Sequence, residues 1–149
     1  MKVIFSIILG LFFQFVNAQN PNYNQSLADS LGADDYGMKS YFMVMLKTGS
    51  NESTDSLFLD SCFRSHMNNI IQLVESGDMI IAGPFGKNED HYRGIFVFNV
   101  PTQEEVEQML LNDGAIQEGI LEATIIPWYA SAALPTYLNQ ADLIWTKKP

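Results

Sequence analysis

The side chains able to do chemistry are few in this chain, and His66 is the most informative of them. Leu59, Phe63, His66, Ile70 and Leu73 fall at successive spacings of four, three, four and three, which is one stripe of a helix. That spacing aims an imidazole inward, where each ring nitrogen needs a partner or its desolvation costs ~1–3 kcal/mol. Two readings follow: a core histidine bonded to a backbone carbonyl, or a group that moves protons. The second histidine, His91, lies beside Glu89 and Asp90 in a polar loop, so a surface residue is the simplest reading and a weak metal site the alternative. Cys62, one turn before His66, reads as a small buried hydrophobe or, in a positive environment, a nucleophile. With two histidines and one cysteine in all, a multi-histidine centre, an internal disulfide and a multi-thiolate metal site are excluded within one chain. HExxH, GxSxG, CxxC and GxGxxG are absent, and Gly83–Lys87 has the wrong spacing for a phosphate loop. No metal and no cofactor is expected.

The elements that must position His66 can be read from hydrophobic periodicity. Tyr41–Leu46 is a short run of aromatic and branched residues and predicts a strand. A helix follows from about Thr54 to Ser76, with Ser53, Thr54 or Asp55 at its start and Gly77 as its stop. Met79–Ala82 and Arg93–Val100 read as the second and third strands. Thr102-Gln103-Glu104-Glu105 has the form of a capping box opening a second helix, which Val106, Met109 and Leu110 would bury and Asn112-Asp113-Gly114 would end. Ala123–Ile126 is a fourth strand running to Pro127-Trp128. The order β-α-β-β-α-β predicts an α+β fold: a ferredoxin-like four-stranded antiparallel sheet with two helices on one face.

The chain has 149 residues, 8 of them basic and 17 acidic, with an apolar fraction of 47%. That supports one compact domain and argues against a nucleic-acid partner, whose phosphates require clustered Lys and Arg. Met1-Lys2, the apolar run Val3–Phe13 and Val16-Asn17-Ala18 form a signal-peptide pattern over residues 1–18, cleaved after Ala18; an uncleaved anchor is the alternative. Cleavage removes one basic residue, leaving 131 residues with a formal charge of −10. The mature protein is then expected to be secreted or periplasmic, with no membrane association. Residues 19–38 are polar, lack any basic residue and read as a mobile arm. Residues 39–128 form the domain. Residues 129–149, with Leu134, Tyr137, Leu138 and Trp145, are a C-terminal extension too apolar to float free; it is expected to pack on its own domain or on a partner subunit.

Aromatic and branched residues occur at both parities of the first and third strands. The sheet face without helices is therefore expected to be apolar, and a large apolar face rarely stays in water. Face-to-face pairing of two copies, a homodimer, is the economical solution.

His66, Ile70, Leu73 and Gly77, followed by Ala82-Gly83-Pro84, make a His-x3-apolar-x2-Leu-x3-Gly-x4-Ala-Gly-Pro pattern. With Gly94, Glu104-Glu105, Asp113 and Pro127-Trp128 in order behind it, the stretch from about 39 to 128 resembles the YCII-related (YciI-like) family. The resemblance implies the protomer fold of a dimeric α+β barrel and a His–Asp pair in a cleft. Carried over by motif, the pair is His66 and Asp113. A carboxylate on one ring nitrogen would fix the tautomer and leave the other nitrogen to move protons. The family usually has Asp-Pro where this chain has Asp113-Gly114, a change expected to loosen that turn. Gly83 and Pro84 are candidates for a wall of the substrate cleft or, alternatively, a tight strand exit. The implied activity is cofactor-independent acid/base chemistry, of isomerase, lyase or dehydrohalogenase type, on a small organic molecule. The other reading is a non-catalytic dimeric ligand-binding or assembly module.

Overall fold

A computed structural model describes residues 20–141 and 143–147. The signal-peptide pattern lies outside the described residues. The elements in order are α1 (Gln25–Leu31), β1 (Met38–Thr48), α2 (Ser56–Ser76), β2 (Met79–Pro84), β3 (Tyr92–Phe98), α3 (Gln103–Leu110), α4 (Gly114–Gln117), β4 (Leu121–Ser131), a 3₁₀ turn (Leu134–Tyr137) and α5 (Leu138–Ala141). The four strands form one antiparallel sheet in the order β2-β3-β1-β4. This is the ferredoxin-like α+β arrangement. Among the described residues no helix is long and apolar enough to cross a membrane.

The alternation of side chains along each strand produces two faces. Phe42, Val44 and Leu46 of β1, Phe96 and Phe98 of β3, and Leu121, Ala123 and Ile125 of β4 point toward the helices. There they meet Cys62, Leu73, Val106, Leu110 and Ala115 in the main core. The second face carries Tyr41, Ile80, Val97 and Ala130, covered by Leu134 and Leu138 from the C-terminal segment. The Tyr137 hydroxyl donates to the Ile80 carbonyl and pins that segment across the sheet. The C-terminal extension thus packs on its own domain. It covers one end of the second face; Met43, Met45 and Ile95 toward the other end are half-buried, and Ile126 is exposed.

Two local expectations are corrected. Residues 19–38 read as a mobile arm, yet Asn24 caps a two-turn helix there and Gly37 accepts the Ala132 amide. The Tyr129 hydroxyl also donates to Asp34, tying the arm to β4. Pro127 does not close β4, which runs on to Ser131 opposite Met38. β4 is an edge strand, so a proline can point its missing donor away from the ladder. The break at Asn112-Asp113-Gly114 ends α3 as expected, and Asp113 then caps the short helix α4.

Candidate functional site

α2 is the longest helix and carries His66 near its middle. Asp55 accepts the Leu57 and Phe58 amides at its start, and Gly77 closes it in the left-handed conformation. Its most buried line runs through Cys62, Asn69 and Leu73. That line is rotated slightly from the expected stripe, and Phe63 sits at the border with 37% exposure. Cys62 is buried, as a small hydrophobe would be. His91 stays exposed with a φ of 59°, and no cluster of metal-ligating side chains occurs among the described residues.

His66 and Asp113, 47 residues apart, meet at 2.7 Å between Nδ1 and Oδ2. The aspartate is completely buried, and the histidine side chain is 12% exposed. The other carboxylate oxygen, Oδ1, accepts the Ala115 amide at 3.1 Å and the Ile116 amide at 3.3 Å. Asp113 is therefore an N-cap whose second oxygen faces the imidazole. An ionised carboxylate only accepts; facing one, a neutral ring carries its proton on Nδ1 and its lone pair on Nε2. No buried side-chain nitrogen or oxygen among the described residues lacks a partner. Nε2, which makes no hydrogen bond among the described residues, is thus the nitrogen turned to solvent. Phe63 meets the ring edge-on at 6.1 Å between centroids, and Phe96 lies under it at 5.7 Å with planes tilted by 33°. These two aromatics limit the motion of the imidazole while adding no charge.

The glycine after Asp113 does not loosen this arrangement. A Cβ on Gly114 would stand 2.7 Å from Ser65 Cβ and 2.8 Å from Ser65 Oγ. Gly114 is what lets α4 lie against α2, and that approach brings Asp113 to His66. Its role was hidden in the sequence because the steric need arises from a residue 49 positions away.

Gly83 and Pro84 end β2 and are not joined to the His–Asp pair by any hydrogen bond or ring contact. Pro84 pairs with Gly94 and Gly83 with Ile95. By alternation Pro84 faces the helix side with Phe96, and Gly83 faces the other. A Cβ on Gly94 would come within 2.9 Å of the Gly83 carbonyl, so this stretch serves a close approach of β2 and β3. A depression of about 370 Å³ lies along the flank of α2 next to Asn112, and His66 is not among its lining residues.

No protein-family model matches the chain, and no curated protein matches it. Among solved structures, it is similar to 5-chloro-2-hydroxyhydroquinone dehydrochlorinase from Burkholderia phenoliruptrix, in complex with 2,5-dihydroxybenzoquinone. The identity is 16% and the TM-score 0.44, over 59% of this chain and 92% of that one. The fold assignment rests on the strand order and register of this chain itself, and the YCII-related resemblance on the motifs that carry it.

Proposed function

We propose that this protein is an exported YciI-like acid/base enzyme in which His66 Nε2 takes a proton from, or returns one to, a small organic substrate. Asp113 holds the ring and stabilises the imidazolium that forms. The observation carrying the reading is the 2.7 Å contact between Nδ1 and Oδ2, with the carboxylate fixed by two backbone amides and the opposite nitrogen toward solvent. Core histidines need no buried carboxylate to satisfy one nitrogen, since a backbone carbonyl suffices. Here Asp113 is wholly desolvated to reach the ring, which is costly unless paired. Such a pair permits isomerisation, elimination or dehydrohalogenation without a cofactor. Positioned proton transfer supplies only about 10²–10⁴-fold, so the remainder must come from enclosing the substrate. A homodimer formed on the exposed part of the second face is proposed as well, supported by Met43, Met45, Ile95 and Ile126, which none of the described segments covers fully.

The test is hydrogen exchange at carbon. Small cyclic ketones, lactones and halogenated quinols are incubated with the protein in deuterated buffer and followed by mass spectrometry. The expected result is deuterium incorporation into one of these classes that His66→Ala removes while the far-UV spectrum is unchanged. Exchange that persists in His66→Ala removes the histidine from the mechanism. No exchange with any class favours the ligand-binding module instead.

A further inference from the structure

On the flank of α2 next to the α3–α4 turn, Ser61, Arg64, Asn68 and Gln72 follow one another at spacings of three, four and four. They make one wall of the 370 Å³ groove. Asn112, from the turn between α3 and α4, stands across from them, and Asn69 forms part of the floor. All these side chains can hydrogen-bond and none is a carboxylate. That is unusual in a chain with 17 acidic and 8 basic residues. Asn69 is buried, with its Nδ2 donating to the Met109 carbonyl at 3.4 Å, so its amide is oriented from behind. Arg64 forms no salt bridge among the described residues, although Asp60 lies one turn before it.

We propose that this groove is a second ligand site, separate from the His–Asp pair, that takes a small polyhydroxylated carboxylate. The guanidinium of Arg64 provides a fork of donors matched to a carboxylate. Asn68, Gln72 and Asn112 each offer a donor and an acceptor, the pairing a hydroxyl requires. The volume falls within the range of small-molecule sites, about 300–1,000 Å³. An adjoining depression on the α3 side also touches Asn112 and carries Glu104 and Glu105. Those carboxylates repel a second negative charge, so the ligand's single anionic end lies toward Arg64 and its hydroxyls toward Asn112. The groove shares its frame with the pair, because Ser65 and Asn112 immediately precede His66 and Asp113. Occupancy is nonetheless measurable without any turnover.

D-gluconate is the probe, with D-sorbitol matching its hydroxyls and hexanoate its charge, each titrated into ¹⁵N-labelled protein. The side-chain amide signals of Asn68, Gln72 and Asn112 are expected to shift saturably with gluconate. Sorbitol and hexanoate should each bind at least about tenfold more weakly. Arg64→Gln should weaken gluconate by about tenfold, and Gln72→Ala, at an exposed position, serves as a second variant that cannot disturb the core. Linear, unsaturating shifts with gluconate would overturn the proposal. So would affinity unchanged in both variants, or hexanoate binding as tightly as gluconate.

Discussion

The two faces of the sheet are built from the same strands but closed by different means. The helix-side face is sealed by α2, α3 and α4 and contains Asp113, the one buried carboxylate among the described residues. The opposite face is closed at one end by a short strap, in which Leu134 and Leu138 are only half-buried. Rigid enclosure is where a carboxylate can be held without water and aimed at one ring nitrogen. The proposed chemistry and the proposed assembly thus fall on opposite sides of one sheet.

The largest disruption is expected from the sealed face. Phe96→Ala removes a ring that contacts both His66 and Phe98 and should cost about 3–5 kcal/mol, read by urea unfolding. Asp113→Ala should cost about 2–4 kcal/mol, combining a lost N-cap with an imidazole left unpaired on its buried side. Asp113→Asn keeps an acceptor for the amides and should cost less while still impairing proton transfer. If Asp113→Ala were neutral for stability, the carboxylate would not be organising this face.

How much of this was legible in the sequence depended on how local each cause was. Thr102 and Glu105 form the capping box with both hydrogen bonds made, because a cap is decided within four residues. The strand order followed from periodicity and turn residues of the same short range. The pairing of His66 with Asp113 came from a family resemblance, since nothing in local spacing joins residues 47 apart. The roles of Gly114 and Asn69 escaped because each depends on how closely α2 packs against the α3–α4 turn. The C-terminal strap was legible as apolar; which surface it covers was decided by the pairing of β4 with β1, a long-range feature.

A truncation after Ala132 sharpens the contrast between the faces. It removes Leu134, Tyr137 and Leu138 from above Tyr41, Ile80 and Val97, and half-burial of two leucines corresponds to about 2 kcal/mol. The truncated protein should melt lower and self-associate more strongly, by light scattering, as more of the second face is bared. An unchanged melting temperature would mean that the strap is not a cover.

The smallest effect concerns the tie between Tyr129 and Asp34. The shared hydrogen bond lowers the Asp34 pKa and raises that of Tyr129 to about 12. For Asp34, the contribution to stability is present above the usual carboxylate range and fades as pH falls below it. For Tyr129 it is present below pH 10 and fades as pH rises toward about 12. Tyr129→Phe should flatten the melting temperature against pH at both extremes, with little change near neutrality. Identical profiles for the two proteins would show that the arm is not held by this bond.

The most direct measurement is the protonation state of His66, by long-range ¹H–¹⁵N correlation on imidazole-labelled protein as the pH is lowered through the folded range. At the alkaline end the neutral ring should carry its proton on Nδ1, and Nε2 should take up a proton from solvent on acidification. A neutral ring protonated on Nε2, or one that never gains a proton while the protein remains folded, would contradict the assignment of His66 as the group that moves protons.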